Sequence, residues 1–212
     1  MLNDITMSKG SVAPLIKEYY PEYYMLKEYP VADCAPIRAN TDEWGILSNI
    51  YPTVLVVDGV EFASSEQLFQ MMKFADKDIL LDIYKTRGMT PKMKAKKIEN
   101  RVFIRPDWGQ IIIDCMKFCL QTKYDQCEDF RNTLHNTNGV NIVEDETNRK
   151  TSKKGNVRPA DTWGVIKDGD MYKGSNLMGR LLMELRDNGK LEYQLPDDIF
   201  DFITILKSSG QI

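Results

Sequence analysis

The chain has 212 residues, of which 42% are hydrophobic and 28% charged, and its formal net charge is −3. This composition excludes intrinsic disorder, no apolar run approaches the ~20 residues that span a bilayer, and the acidic balance excludes a nucleic-acid binder held by charge alone. A single histidine and the lack of CxxC pairs exclude the usual zinc sites, and the first residues lack the pattern of a signal peptide. We therefore predict a cytoplasmic protein that uses no metal and no cofactor and does not enter a membrane.

Residues 1–39 are rich in tyrosine and proline ("KEYYPEYYMLKEYPVADCAP"). The prolines exclude a long helix, so the segment is predicted to be an arm that packs on the body through its tyrosines. The arm is also a candidate interface for a protein partner. Two β-like runs in "LVVDGVEF" then flank Asp58-Gly59, which is a strong signal for a hairpin.

A helix is predicted from Ser65 to about Tyr84, with a capping box formed by Ser64 and Gln67. Helical spacing or helix-end signals predict further helices in "TPKMKAKKIEN", "DWGQIIIDCMKFCLQTKY", "EDFRNTLHNT" and "NLMGRLLMELRDNG". The second of these is predicted to be a core helix with a buried apolar stripe, formed by Ile112, Cys115, Met116, Cys119 and Leu120. A short strand is predicted in "VNIVED", and residues 146–160 read as a polar loop. Two basic runs, "YKTRGMTPKMKAKKIENRVFIR" and "NRKTSKKGNVR", indicate either a solvated surface or a basic rim that attracts phosphates.

The stretch "SSEQLFQMMKF" places three polar side chains in an otherwise apolar helix. With Glu66 set at zero around the helix axis, Gln70 falls at about +40° and Lys73 at about −20°. The three side chains therefore share one narrow wedge, which Phe69 and Phe74 flank. The wedge indicates either the wet face of an ordinary amphipathic helix or an acid, an amide and an amine that face a ligand cleft.

Seven segments follow one another in order: "WGILSNIYP", "VDGVEFASSEQLFQMMKF", "RPDWG", "MKFCLQTKY", "IVED", "ADTWGV" and "YKGSNLMGRLLMELRDNGKLEY". Together, from about residue 42 to 197, they resemble the NADAR family, also called YbiA-like. The resemblance implies a mainly helical α+β fold, in a single domain with a small β-hairpin or sheet. It places this catalytic domain at residues 40–200, between the arm of residues 1–39 and a C-terminal tail of residues 201–212.

The resemblance also implies hydrolysis of N-glycosidic bonds to ribose. Two substrate classes follow from it: ADP-ribose attached to guanine in a nucleotide or nucleic acid, and ribosylated early intermediates of riboflavin synthesis. The basic runs favour the first class, because they suit a pyrophosphate or a polynucleotide tail better than a single phosphate. We therefore predict removal of ADP-ribose from guanine, in a toxin–antitoxin or phage-defence setting. The riboflavin intermediates and a non-catalytic module that binds NAD or ADP-ribose remain alternatives.

The family's functional positions fall, in chain order, on Glu66, Lys73, Trp108, Asp161, Trp163, Gly174, Asn176 and Gly179. The acid and the lysine belong to an S-E-x-x-F-Q helix, the first tryptophan begins the central helix, and the last three residues form G-x-N-x-x-G. Many members have His or Tyr after the helix acid, where this chain has glutamine. The family's aspartate often stands three positions before the second tryptophan, whereas here it is two positions before.

Breaking the bond between ribose C1 and a base nitrogen builds positive charge on the sugar. Glu66 is predicted to stabilise that charge and to orient a water, and Asp161 is a candidate second carboxylate. Lys73 has three open roles: to hold a phosphate, to stabilise the leaving base, or to attack C1 and form a Schiff base.

The remaining candidates are substrate-binding residues. Trp108 and Trp163 are predicted either to stack on a base or to belong to the core. Asn49 is a candidate for binding ribose hydroxyls, and Gln70 shares the catalytic wedge. Arg180 is either a partner of a pyrophosphate or an exposed helix residue. The G-x-N-x-x-G segment opens a helix, whose N–H groups are a natural phosphate site.

Overall fold

The computed structural model of the chain describes residues 13–147 and 162–210, and these residues form helices and small sheets. This confirms the predicted α+β fold, in which helices predominate. The helices are α1 Ala13–Tyr19, α2 Pro21–Tyr24, α3 Ser65–Met71, α4 Lys77–Tyr84, α5 Thr90–Ala95, α6 Trp108–Gln126, α7 Glu128–Asn136, α8 Leu177–Asn188 and α9 Asp201–Ser208. The strands are β1 Lys27–Pro30, β2 Cys34–Ile37, β3 Leu55–Val57, β4 Val60–Phe62, β5 Asn141–Glu144, β6 Ile166–Asp168 and β7 Met171–Gly174. None of the described helices combines the length and the apolar character that a membrane crossing requires.

The chain divides into two compact units, each of which is discontinuous in sequence. Unit 1 comprises Met1–Ser48 and Thr133–Gly189, and unit 2 comprises Asn49–Asn132 and Lys190–Ile212. The predicted boundaries, at residues 39–40 and 200–201, therefore fall inside these segments.

Unit 1 contains the three-stranded antiparallel sheet β1–β7–β6 and the parallel pair β2–β5. Strands β1 and β2 lie in the segment predicted as an arm and pair with β7 and β5, with Tyr29 opposite Tyr172. Helix α8 packs against β5. An added Cβ at Gly179 would lie 2.1 Å from the carbonyl oxygen of Ile142, so only glycine permits this close approach of helix and strand.

Unit 2 is built around α3, α4 and α6. The predicted hairpin is confirmed: β3 and β4 pair antiparallel, and Asp58 and Gly59 both have positive φ (48° and 76°). The apolar stripe of α6 is buried as predicted, and Cys115 and Cys119 are fully covered. The C-terminal helix α9 packs against α4, and its Phe202 lies edge-on to Phe62 with ring centroids 5.9 Å apart.

The single helix predicted from Ser65 to about Tyr84 is wrong. The chain leaves the helix after Met71 and begins α4 at Lys77, with the Asp76 side chain accepting a hydrogen bond from the Ile79 N–H. Between the two helices, Phe74 forms a β-bridge with Ile104. This contact with a distant segment fixes the position at which the helix ends. The local spacing of apolar residues cannot predict that position.

The helix predicted in "TPKMKAKKIEN" is shorter than expected. Helix α5 covers only Thr90–Ala95, with proline in its first turn, and a 3-10 helix at Ile98–Phe103 follows. The basic segment therefore forms two short helical elements, of which α5 packs against α3 and α4.

Candidate active site

The start of α3 is fixed by hydrogen bonds on both sides of Glu66. Ser64 is the N-cap, and its Oγ accepts a hydrogen bond from the Gln67 N–H at 3.1 Å. The return bond of the predicted capping box goes to Ala63, whose N–H donates to Gln67 Oε1 at 2.7 Å. The Glu66 N–H donates to the carbonyl oxygen of Asn49 at 2.9 Å, so Glu66 occupies a fixed place in the first turn.

The Gln67 side chain has a structural role. Its Nε2 donates to the carbonyl oxygens of Ile83, Tyr84 and Thr86, at 3.4, 2.8 and 2.8 Å. Gln67 therefore ties α3 to the end of α4 and faces away from the wedge, which is the reason that a glutamine is accommodated at this position.

The wedge predicted from helical spacing exists as a chain of two hydrogen bonds. Gln70 Nε2 donates to Glu66 Oε1 at 2.7 Å, and Lys73 Nζ donates to Gln70 Oε1 at 2.6 Å. The three residues are only 4%, 2% and 9% exposed, respectively. The wedge is therefore not the solvated face of an amphipathic helix, because an ordinary wet face leaves its acid and its amine in water.

Burial controls the protonation of the Lys73 amine. It lowers the pKa of Lys73 to about 7, against a smaller opposing effect of Glu66, and the positive charges of Lys96 and Lys92 lower that pKa further. At neutral pH a large fraction of this side chain is therefore the neutral amine, which is the nucleophilic form.

Two aromatic rings cover the Lys73 amine. Its Nζ lies 5.3 Å from the centroid of Phe69 and 5.2 Å from the centroid of Trp108. Trp108 begins α6, is 6% exposed, and packs on Phe69 with ring centroids 5.2 Å apart. Trp108 thus belongs both to the packing of unit 2 and to the surroundings of the amine.

Asn49 has a buried acceptor that no protein group in the described chain uses. The side chain is 6% exposed, and its Nδ2 donates to the sulfur of Met116 at 2.9 Å. Its Oδ1 has no hydrogen-bond partner among the described residues, and neither has the hydroxyl of the fully buried Ser65. Buried polar atoms are usually satisfied, so the lack of a partner for these two atoms, on the segments that fix Glu66, is unusual.

A cavity of about 340 Å³ in the same unit is distinct from the wedge. Met72 and Phe74 line it, but Lys73, which lies between them in the chain, does not. Its polar wall is Arg105, which forms ion pairs with Asp107 at 2.6 Å and with Asp198 at 2.8 Å. The side chains of the wedge therefore do not open into this cavity.

A second buried lysine was not predicted. Lys123 of α6 is fully covered, its Nζ lies 4.7 Å from the centroid of Phe130 and 5.7 Å from that of Tyr51, and burial lowers its pKa to about 7. A signal was present in the sequence, because Lys123 stands four and eight residues after Cys119 and Cys115, in the stripe predicted to be buried.

The described candidates from Trp163 to Arg180 lie in unit 1. Trp163 is half-buried, and Asp161 lies outside the described residues. The N–H groups that open α8, those of residues 176, 177 and 178, donate to the carbonyl oxygens of residues 164, 162 and 163. A phosphate at this helix start would have to displace these carbonyls.

Asn176 and its neighbouring glycines hold unit 1 together. Asn176 adopts a left-handed conformation (φ 51°), its Oδ1 accepts from the Glu144 N–H at 3.2 Å, and its Nδ2 donates to the Ile142 carbonyl oxygen at 2.9 Å. Gly174 ends β7, and Gly179 makes the close approach to β5. Both polar atoms of the Asn176 side-chain amide therefore hold the start of α8 against β5.

Arg180, on α8, is anchored on one side. Its Nη2 donates to the carbonyl oxygen of Glu22 at 2.8 Å, and its guanidinium lies 4.9 Å from the ring centroid of Tyr23. Its Nη1 is buried and has no hydrogen-bond partner in the described chain. Within the described residues, no group of three or more His, Cys, Asp or Glu side chains is placed to hold a metal ion.

Comparison with known proteins gives a consistent result. The chain is 30% identical to the N-glycosidase YbiA of Shigella boydii and to that of Escherichia coli K12, over 155 residues that make up 73% of this chain and 87% of each relative. It is 28% identical to the protein irg-1 of Caenorhabditis elegans over 170 residues, or 67% of this chain and 74% of that protein.

The fold agrees with the sequence relationship. The NMR structure of Escherichia coli YbiA superimposes with a TM-score of 0.58 and 26% identity, covering 77% of this chain and 90% of that one. The family profile described as the NADAR domain matches residues 37–188, which is most of the chain and includes the whole wedge. The chain belongs to the NADAR domain family.

Proposed function

We propose that the chain is an N-glycosidase that removes ADP-ribose from guanine by breaking the bond between ribose C1 and the base. The observation that carries the proposal is the buried wedge, in which Gln70 connects the carboxylate of Glu66 to the amine of Lys73 through hydrogen bonds of 2.7 and 2.6 Å. The names of the YbiA relatives as N-glycosidases support the reaction type.

Glu66 is proposed to stabilise the positive charge that develops on the sugar. A carboxylate next to C1 acts in this way in glycoside hydrolysis, where the transition state resembles an oxocarbenium ion. Glu66 suits the role because it is 4% exposed, stands on a rigid helix, and is held by Gln70 and by the hydrogen bond from its own N–H to Asn49.

Lys73 is proposed to be the nucleophile. Its nitrogen bonds to C1 while the bond from C1 to guanine breaks, the bonding electrons leave with guanine, and guanine takes up the proton that the amine releases. Opening of the ribose ring turns the linkage into a Schiff base, and water then adds at C1 and releases ADP-ribose and the amine. A pKa of about 7 favours this role over that of a permanent phosphate anchor, because a substantial fraction of the amine is then neutral at neutral pH.

Further residues are proposed to bind substrate, and they are considered for each unit separately. In unit 2, Asn49 Oδ1 is proposed to accept a hydrogen bond from a ribose hydroxyl. The ring of Trp108, next to the Lys73 amine, is proposed to stack on the base. The remaining family positions stay predictions: Asp161 as second carboxylate, and Trp163, Gly174, Asn176, Gly179 and Arg180 as substrate-binding residues. Of these, Arg180 has the buried Nη1 that an anionic group would satisfy.

The test is the release of ADP-ribose from ADP-ribosylated guanosine monophosphate, followed by mass spectrometry. Glu66→Gln keeps the shape of the side chain and the hydrogen bond from Gln70, and is expected to lower turnover by about 10²–10⁴-fold. Glu61→Gln is the matched control, because Glu61 is exposed in the same unit. Full activity of Glu66→Gln would remove Glu66 from the mechanism.

Two further outcomes decide substrate and nucleophile. Turnover of a ribosylated pyrimidine intermediate of riboflavin synthesis, without turnover of the guanine substrate, would assign the other substrate class. Borohydride added during turnover is expected to leave a ribose adduct on the peptide that contains Lys73. Turnover with no such adduct would mean that Lys73 acts only by stabilising charge.

A further inference from the structure

The segment Met89–Arg105 of unit 2 exposes several large apolar side chains close together in the chain. Their exposed fractions are 47% for Met89, 67% for Met93, 74% for Ile98, 83% for Val102 and 50% for Phe103. Single exposed apolar residues need no explanation, but a group concentrated within one short segment indicates a binding surface. We call this segment the basic–apolar face.

Basic residues are interleaved with these apolar side chains. Lys92, Lys94, Lys96, Lys97 and Arg101 lie between Met89 and Phe103, where the only acid is Glu99. Lys94 and Lys97 bind Asp82, at 2.7 and 3.3 Å. Five basic residues minus Glu99 and Asp82 leave an excess of three positive charges, in a chain whose net charge is −3. The natural partner of the segment is therefore an anion that also offers apolar surfaces.

The basic–apolar face borders the wedge. Helix α5 packs against α3, and Lys96 and Lys92 are the lysines whose charges act on Lys73. A ligand that lies along this face is thus brought to the same part of unit 2 as the reactive amine.

We propose that the basic–apolar face binds the single-stranded polynucleotide that carries the modified guanine, with Lys92, Lys96 and Arg101 on phosphates and Phe103 stacked on a base. A single strand matches both features of the face, because its phosphates are negative and its unstacked bases expose flat surfaces to aromatic and aliphatic side chains. A duplex hides the flat surfaces of its bases. An acidic protein or an anionic membrane would match the charge of the face, but it would give no reason for the face to lie beside a glycosidic site. The inference rests on the proposed function and names the polymer on which it acts.

The test is the binding of an unmodified, fluorescein-labelled single strand of about 12 nucleotides, measured by anisotropy over a series of salt concentrations. The Glu66→Gln protein is used as the background, so that no turnover interferes. Lys92→Gln/Lys96→Gln is expected to weaken binding and to lower the slope of log K against log salt by about 1.4, or ~0.7 for each lost phosphate contact. Phe103→Ala is expected to weaken binding about tenfold without changing that slope.

The matched control is Lys77→Gln/Lys207→Gln, which removes the same charge from exposed lysines on α4 and α9 of the same unit. Equal affinities and slopes for the control and for the Lys92/Lys96 variant would overturn the proposal, since the effect would then be one of net charge. Binding to phosphatidylserine vesicles but not to the strand, or tighter binding of a duplex, would also overturn it. Strand binding is read without catalysis, so a failure of the proposed glycosidase would appear separately, as normal binding with no release of ADP-ribose.

Discussion

Gln70 is the residue that connects the wedge, because it bonds to both the acid and the amine. Replacing it by glutamate preserves its shape but puts a negative charge beside Lys73 Nζ, where the neutral amide oxygen now lies at 2.6 Å. A nearby carboxylate favours the protonated form of a lysine. Gln70→Glu is therefore expected to raise the pKa of Lys73 from its present value of about 7.

The pKa can be followed without a substrate, by measuring the rate at which an amine-specific reagent labels Lys73 as a function of pH. In wild type the labelling rate should rise through neutral pH, whereas in Gln70→Glu the rise should begin at a more alkaline pH. Gln70→Met is the companion variant, because it removes both hydrogen bonds without adding charge. Identical labelling profiles for wild type and Gln70→Glu would show that Gln70 does not control the amine.

The low pKa of Lys73 also predicts how stability depends on pH. The unfolded chain holds this proton up to about pH 10.5, whereas the folded chain releases it near pH 7. Between these values the unfolded state binds more protons, so the free energy of unfolding rises with pH, by at most ~1.4 kcal/mol per pH unit for each such group. Lys123, whose pKa burial also lowers to about 7, adds a second contribution.

Lys73→Met is expected to reduce the slope of unfolding free energy against pH between pH 7 and 10, and Lys123→Met should do the same. Urea unfolding at a series of pH values measures the slopes. Lys77→Met, at an exposed position, is the control and should keep the wild-type slope. Parallel curves for all four proteins would contradict the burial of an uncharged amine at either site.

At the scale of the element, the position of α3 depends on Gln67, which accepts from Ala63 and donates to three carbonyl oxygens. Gln67→Met keeps the volume and leaves these groups without their partner, in a place that is fully buried. Each buried polar group left unsatisfied costs about 1–3 kcal/mol, so we expect a loss of at least ~2 kcal/mol in the free energy of unfolding. Gln194→Met, the same change at an exposed position, should be close to neutral.

The Gln67→Met variant also shows whether Gln67 has a structural role or takes part in the reaction. If Gln67 acts only by holding α3 to α4, the variant loses stability but keeps turnover at temperatures where it is folded. Loss of turnover in the fully folded variant, with stability unchanged, would place Gln67 in the reaction instead.

Elements were predictable where local rules decide them. Helical spacing was enough to place Glu66, Gln70 and Lys73 on one wedge, and Asp58-Gly59 was enough to predict the hairpin. The break after Met71 was not predictable, because the pairing of Phe74 with Ile104 that fixes it depends on a segment thirty residues away. Spacing alone also did not show that the wedge is buried, since an amphipathic helix with a wet face has the same pattern.

At the scale of the molecule, each compact unit is assembled from separate stretches of chain. Unit 2 is completed by the C-terminal stretch, whose Phe202 packs on Phe62 and whose Phe200 packs on Phe118, with ring centroids 5.9 and 5.1 Å apart. The sequence predicted a tail here, because family resemblance stops before α9 and eight residues of helix carry a weak local signal. The core of the unit that holds the wedge therefore depends on residues outside the recognised motifs.

Phe202→Ala tests this dependence. Phe202 is 2% exposed, and removing a buried phenylalanine ring costs about 3–5 kcal/mol. We expect a loss of that size in urea unfolding, against less than ~1 kcal/mol for Phe103→Ala, whose ring is 50% exposed. Equal losses in the two variants would mean that the C-terminal helix does not contribute to the core.

The hydrogen bond from Lys73 to Gln70 limits the directions from which the proposed attack on C1 can occur. A neutral amine has one lone pair, and it points away from the hydrogen that Gln70 Oε1 accepts at 2.6 Å. Since Gln70 uses its other end to hold Glu66, its amide cannot rotate to receive the lone pair without giving up the carboxylate. The lone pair therefore occupies one of the two tetrahedral directions that point away from Gln70, and in the proposed reaction C1 must approach from one of these two directions.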